Sequence, residues 1–531
     1  MKICKARDGL MAKRAAPVMG IVFLLLLGSC LGAAYTGNDT GSKNQAMGPD
    51  EDTQKAVLHD FENYAEQGMK DWQVPGMAIA IVRGNETIYQ KTFGVRKVNG
   101  TDKVTNNTIF QIGSTSKAFT AALVGMLVDE GKVKWDDKVI DHLPDFRMYD
   151  PWVTREFTVT DLMAQRSGLP GYSGADLDTL GFGRDYLMRS LRYTEPVTSF
   201  RSTYAYQNTL FLVAAALVEN ETGKSWEDNI QEKIFQPLEM SNSSDDMKSF
   251  QQAKDVAYLH QMRNGTVTAL PMNWKYMDWP YVYGPAGGIN SNIIDMTKWL
   301  RLQMNNGSFE GQQLISKNST IYMHTPQTVI GAMPSGNFAY YCQGWLYQES
   351  KPYNIIWHNG GTLGHKTMIA FVPEAKIGIV VLSNAISELP DMLAFRFFDM
   401  YFGNPERDYS AMALNQTKMA EAQLNNSLPK QPEKPAPPLP LEKYVGNYSN
   451  LTYGSINVTQ ENGSLVVFAG PRNVKMTLTP WDRDTFRTSE PDASDQKGFA
   501  VFMIGPEGKA EKMVMAGGAL SGQATFDRKA S

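Results

Sequence analysis

Ile112-Gly113-Ser114-Thr115-Ser116-Lys117 sets a hydroxyl and an amine three positions apart, ahead of an apolar stretch that reads as a helix to about Gly131. On a helix that spacing puts both side chains on one face, one turn apart. A serine hydroxyl is a poor nucleophile until a base takes its proton, and a neutral lysine can be that base. A helix N-terminus carries roughly half a positive charge, which favours an oxyanion formed there. Ser114 and Lys117 therefore read as an acyl-transfer pair.

Alone the match is cheap. Ser494 to Lys497 repeats the Ser-x-x-Lys spacing, and Tyr448-Ser449-Asn450 repeats the Tyr-x-Asn of Tyr206-Gln207-Asn208. Serine is also a favoured helix N-cap. Lys117 reads equally as a solvated helix charge, Tyr206 as a core aromatic and Asn208 as a turn or cap residue. His358, beside Trp357, reads as a satisfied structural histidine as well as a ligand. What favours chemistry is order: Ser114 and Lys117, then Tyr206 and Asn208, then His358-Asn359-Gly360-Gly361, each in a suitable segment type.

The elements that must position these residues are legible in outline. Val57, Phe61, Tyr64 and Ala65 recur at helical spacing between Gln54 and Met69. Met77 to Val82 and Thr87 to Gln90 flank Arg83-Gly84-Asn85 and predict a hairpin. Residues 119–320 are mostly helical pattern broken by Gly/Pro loops. A second hairpin is predicted for Thr367 to Val372 and Ile377 to Ser383 around Pro373-Glu374-Ala375-Lys376. The expected fold is α+β: an antiparallel sheet built from N- and C-terminal pieces, flanked by helices, with a helical region inserted.

Six prolines from Pro429 to Pro440 predict a stiff, extended linker over 428–440. Beyond it, Ser455 to Gln460 and Ser464 to Phe468 alternate around Asn462-Gly463, a strong hairpin signal. Val474 to Thr479, Phe499 to Ile504 and Lys512 to Met515 add strand-like pieces. A small all-β domain, sandwich or barrel, is expected for 441–531, and a larger α+β domain for 54–427.

The motifs resemble those of the class C β-lactamase and penicillin-binding-protein-like serine hydrolases, the DD-peptidase and esterase superfamily. Phe110 to Lys117 is similar to that family's nucleophile motif, Thr160-Asp161-Leu162 with Ser167-Gly168-Leu169-Pro170 to its loop, and Gly284-Pro285-Ala286-Gly287-Gly288 to its glycine-rich turn. The resemblance covers residues 54 to 400, and the later β domain resembles the lipocalin-like barrel appended to some members. It implies a β-lactamase/transpeptidase-like fold and that the 54–427 domain is a serine hydrolase. Ser114, Lys117 and Tyr206 would be catalytic, with Tyr206 as phenolate or hydrogen-bond relay, and Asn208 would orient Lys117 and the substrate amide. The N–H groups of Ser114 and Gly361 would form an oxyanion hole, with His358 and Gly360 at the substrate. No metal or organic cofactor is implied. Two departures stand out. His358-Asn359-Gly360 replaces Lys-Thr-Gly, which weakens the grip on a substrate carboxylate and suits peptidases or esterases over β-lactamases. Gln165-Arg166 stands where the family's loop usually has His-Thr.

Composition bounds the rest. In 531 residues, 42% are hydrophobic and 20% charged, an ordinary globular balance of more than one domain. A formal charge of -4 offers no electrostatic case for nucleic acid. Basic residues from Lys2 to Arg14, an apolar run from Val18 to Leu27 and Gly32-Ala33-Ala34 predict a cleaved secretory signal over 1–34. A polar leader over 35–53 follows. Cleavage after Ala34 would leave Cys342 as the one cysteine. Membrane attachment enters only if the signal is retained or Cys30 is lipidated. Asn-x-Ser/Thr sequons recur from Asn38 to Asn462 and point to a glycosylated extracellular protein. Two functions are carried forward: a secreted serine hydrolase acting on a small-molecule or peptide amide or ester, and an extracellular-matrix glycoprotein, biomineral-associated or not, that keeps the fold with catalysis incidental or lost.

Overall fold

The structure, a computed structural model, describes residues 48–531 except 264, 334–336, 351–352, 428, 491–497, 518–519, 521 and 530–531. The expected signal segment, most of the leader and the second Ser-x-x-Lys match lie outside the described residues.

Helix α1 (Glu51–Asp71) begins where the Asp50 carboxylate accepts the Thr53 amide at 2.8 Å. It delivers the chain into β1 (Gly76–Arg83) and β2 (Glu86–Gly94). The middle of the chain is largely helical, with α2 (Ser116–Asp129), α3 (Thr209–Thr222) and α4 (Ile293–Met304) its longest pieces. Strands return as β3 (Thr328–Ala332), β4 (Phe338–Tyr341), β5 (Leu346–Ser350), β6 (Tyr353–Gly361), β7 (Lys366–Val372) and β8 (Ile377–Ser383). Helices α5 (Leu389–Phe402) and α6 (Tyr409–Ser427) complete this part.

These strands form one antiparallel sheet in the order β2-β1-β8-β7-β6-β5-β4-β3, so the N-terminal hairpin pairs directly with β8. Both predicted hairpins are present, slightly extended. Side chains alternate across β1: Ile79 and Ile81 join Phe61 and Phe397 of α1 and α5, while Ala78, Ala80 and Val82 join Phe119 and Trp299 of α2 and α4. Every residue of β7 and β8 is buried, because helices cover both faces. The outer strands β3 to β5 carried no strong sequence signal; they are short and only partly buried.

The last strands, β9 (Gly446–Asn450), β10 (Gly454–Glu461), β11 (Ser464–Ala469), β12 (Val474–Asp482), β13 (Thr485–Ser489), β14 (Gly498–Ile504), β15 (Ala510–Ala516) and β16 (Gln523–Arg528), close into a barrel, β9 pairing with β16. Its inward positions hold Ile456, Val467, Phe486, Phe502 and Met513, all buried. The barrel is closed and eight-stranded. The Pro-rich segment is no free spacer. Ala436 donates to Asp482 at 2.9 Å, Arg483 donates to the Ala436 carbonyl at 2.9 Å, and Gln431 reaches the Trp481 carbonyl. It is a strap along the barrel wall.

Candidate active site

The nucleophile segment is seated on the end of the β6–β7 hairpin. Thr367 donates to the Ile112 carbonyl at 2.8 Å, and His365 Nδ1 accepts the Gln111 amide at 2.9 Å. Gly113 takes φ 54°, a left-handed turn that lifts the chain into the helical turn Gly113–Thr115. A Cβ on Gly113 would stand 2.7 Å from Gly361 N, and one on Gly360 would stand 1.9 Å from the Ile112 carbonyl. Glycine at both places is thus a packing requirement, and it brings Ser114 beside Gly361.

The Thr362 amide bonds the His365 carbonyl. Narrow and wide pairs alternate along an antiparallel ladder, so Gly361 and Lys366 form the non-bonded pair and the Gly361 N–H points away from β7. That is the orientation an oxyanion donor needs opposite the Ser114 amide.

Lys117 is fully buried, one turn into α2 from Ser114. Its Nζ lies 2.7 Å from Asn208 Oδ1, 2.8 Å from the Ala286 carbonyl and 3.1 Å from Ser114 Oγ. Burial pushes the amine well below its ordinary 10.5. A neutral amine has two N–H donors and one lone pair. Two of its neighbours can only accept, so they take both donors, and the lone pair is left facing the hydroxyl of Ser114.

Tyr206 is 8% exposed and its phenol is hydrogen-bonded with Ser114. Burial, together with Tyr341 and Tyr172 nearby, pushes it well above 10.0. Held as a phenol, Tyr206 is suited to the relay rather than to the phenolate base. Asn208 stands at the N-cap position of α3, but its side chain makes no capping bond and is given to Lys117.

His358 differs from the expectation of a substrate ligand. It is 1% exposed, Nδ1 faces the Asn359 carbonyl at 2.6 Å, and Nε2 meets the Tyr341 hydroxyl at 3.0 Å. A carbonyl only accepts, so Nδ1 carries the hydrogen and Nε2 receives the one from Tyr341. Burial holds the ring neutral, with its pKa pushed down to about 3. Both nitrogens are occupied. The imidazole backs Tyr341, whose ring centroid lies 6.2 Å from that of Tyr206.

Several further residues support this set. Gln165, at φ 57°, accepts the Gln207 amide at 2.5 Å and donates to the Gln207 carbonyl at 3.0 Å, gripping the chain next to Tyr206. Its departure from the family pattern was the sole signal. Asp161, wholly buried, pairs with Arg166 and Arg201 and anchors the same loop. Tyr172 donates its amide to the Tyr206 carbonyl at 2.7 Å, with ring centroids 5.2 Å apart. Under the hairpin, Lys366 pairs with Asp391 at 2.7 Å and Glu388 at 3.1 Å, and Asn359 donates to Asp391. Gly360 is buried against the Ile112 carbonyl, and Gly361, beside it, is partly buried. Among the described residues no group of three or more His, Cys, Asp or Glu could hold a metal ion.

Fold and site together define a serine hydrolase with a β-lactamase/transpeptidase-like architecture. The chain belongs to the β-lactamase family, whose profile matches residues 61–394; residues 430–529 match a domain of unknown function, DUF3471. It is 29% identical to the unguisins hydrolase ungD' of Aspergillus campestris, over 86% of this chain and 89% of that one. It is 28% identical to penicillin-binding protein 4 of Amycolatopsis lactamdurans, over 59% of this chain and 81% of the relative. The octameric penicillin-binding protein homologue from Pyrococcus abyssi superposes with a TM-score of 0.57 at 22% identity, over 88% of this chain and 100% of that one. A class C β-lactamase gives 0.55 at 19%, covering 66% and 98%.

Proposed function

We propose that the protein is an exported serine hydrolase that cleaves an amide or ester of a small molecule or peptide through an acyl-enzyme on Ser114. The observation that carries the reading is the Lys117 amine, buried, with both donors committed to carbonyl oxygens and its lone pair aimed at Ser114 Oγ. The oxygen of Ser114 attacks the substrate carbonyl carbon while its proton passes to Lys117 Nζ. Negative charge collects between the Ser114 and Gly361 amides, where removing one such donor typically costs about 10²–10³ in rate. The Tyr206 phenol protonates the departing nitrogen or oxygen and recovers its proton from Lys117. Water then enters by the reverse path and releases the acid.

The names of two relatives, an unguisins hydrolase and a penicillin-binding protein, support a hydrolase acting on a small molecule or peptide. The occupied His358 leaves no imidazole for a substrate carboxylate, which favours peptidase or esterase substrates. Export is supported by the basic and apolar pattern of 1–34 and by the sequons. Incubation with a fluorophosphonate or a fluorescent penicillin, beside Ser114→Ala, tests the chemistry. Labelling is expected in the wild type alone; its absence from both overturns an active enzyme and returns the matrix-glycoprotein reading. Mass spectrometry of the mature protein is expected to find Tyr35 first, and a lipidated Cys30 would overturn the soluble form.

A further inference from the structure

Besides the Tyr186 hydroxyl, which donates to the Thr452 carbonyl at 3.1 Å, the barrel holds the rest of the protein at two stretches among the described residues, and each leads by a short path to a catalytic group. The first is the turn-rich stretch 171–183. Leu180 is buried as part of the barrel's own core, its carbonyl accepts the Arg472 amide at 2.9 Å, and Tyr453 donates to Asp176 at 2.9 Å. Contact is so close that a Cβ on Gly181 would stand 2.6 Å from Arg472 N and one on Gly470 would stand 2.3 Å from the Leu180 carbonyl. The other end of this stretch is Tyr172, bonded to the Tyr206 carbonyl, with Ser173 and Gly174 tied to Thr209 and Tyr283.

The second place is 275–278. The Arg472 guanidinium donates to the Lys275 carbonyl and pairs with Asp278 at 2.8 Å, while Glu490 accepts from Tyr276. From Asp278 the chain runs through Trp279–Val282 into the turn Gly284–Gly287, where Ala286 offers the carbonyl that takes one Lys117 donor. Arg472 therefore bridges both segments: its amide holds Leu180, and its guanidinium donates to the Asp178 carbonyl at 3.4 Å as well as reaching 275–278.

We propose that the barrel is a positioning clamp for the catalytic centre: Arg472 and Tyr453 hold the two segments whose far ends fix Tyr206 and Lys117, and so set how fast Ser114 is acylated. This rests on the acyl-transfer reading above. Neither side chain touches the reacting atoms; both act through the segments they hold. A chain of packed turns transmits such a constraint because catalysis is steep in distance, a displacement of about 1 Å being worth about 10²-fold.

The test uses the full chain with Arg472→Ala, Arg472→Lys, Tyr453→Phe and Ser114→Ala, each checked for a cooperative melt. Fluorophosphonate labelling gives the saturating rate and the half-saturating concentration, and hydrogen exchange is followed over 171–183 and 284–288. Arg472→Ala is expected to lower the saturating rate by about 10²-fold with little change in half-saturation, and to speed exchange in both segments. Arg472→Lys restores part of the rate, and Tyr453→Phe, which loses one hydroxyl and folds as the parent, falls between. Native labelling rates in Arg472→Ala and Tyr453→Phe, or unchanged exchange in both segments, overturn the clamp alone. A wild type that no probe labels overturns the acyl-transfer reading and the clamp with it.

Discussion

The Oδ1 of Asn208 stands 2.7 Å from the Nζ of Lys117, so a side chain at the head of α3 completes the partner set of an amine buried in α2. The Ala286 carbonyl supplies the third partner from a distant turn. Burial makes the amine a base, and these two acceptors aim it.

Tyr206→Phe keeps the ring contacts with Tyr172 and Tyr341 and removes the proton donor. Acylation by an amide is expected to slow by about 10²–10⁴, and acylation by an activated ester, whose leaving group needs no proton, far less. Equal losses on both substrates would remove Tyr206 from leaving-group protonation.

Gly113→Ala places a methyl group at 2.7 Å from Gly361 N on a residue held at φ 54°. The strand end must shift and carry an oxyanion donor with it, so acylation is expected to fall by about 10²–10³. Stopped-flow measurement of probe attachment checks this; a rate within threefold of wild type, read as about 0.6 kcal/mol, would contradict it.

His358 has its folded pKa pushed to about 3 by burial, against an ordinary 6.5. Below 6.5 the unfolded chain binds a proton that the folded chain refuses. The stability tied to its neutral form is fully present above 6.5 and is lost as pH falls towards 3. Asp245, raised to about 6 by burial, works in the opposite direction, so the difference between two proteins is the informative quantity. Relative to His358→Gln, the wild type should lose about 1.4 kcal/mol per pH unit between 6.5 and 4.5 in urea denaturation. A pH-independent difference would show that the imidazole is not held neutral.

Asp161 receives Arg166 at 2.8 Å and Arg201 at 2.5 Å while wholly buried. Burial raises its pKa, and the hydrogen bonds from Arg201 and Thr158 more than reverse this, leaving the carboxylate ionised. Asp161→Ala leaves Arg166 without its counter-ion and is expected to cost about 3 kcal/mol in denaturant unfolding. A loss below about 1 kcal/mol would mean the guanidinium finds water instead.

Ser114, Lys117, Tyr206 and Asn208 were visible in the chain because each is an unusual side chain in a short motif, and the structure brings all four together. The β1–β2 and β7–β8 hairpins were equally visible, since apolar runs around short polar turns need no tertiary partner to be recognised. Three features were not. Tyr341 and Tyr172 are ordinary aromatics whose importance comes from touching Tyr206 across the fold. The outer strands β3 to β5 lack the alternation that a well-covered strand shows. Strand β9, with Gly446, Asn447 and Asn450, was not among the predicted strands and forms through pairing with β10 and β16.

His358 marks the boundary between the two kinds of knowledge. Its position in the third motif is a matter of residue order, and from order alone it reads as a hand for the substrate. Whether a ring nitrogen is open to a ligand depends on what stands within 3 Å of it: here the carbonyl of the next residue, Asn359, and the Tyr341 hydroxyl, which comes from another strand. Chemistry that resides in one side chain and its near neighbours was readable in the amino acids. The direction of the Lys117 lone pair, the neutrality of Tyr206 and His358, and the grip of the barrel on 171–183 arise from long-range packing and burial, which local sequence does not encode.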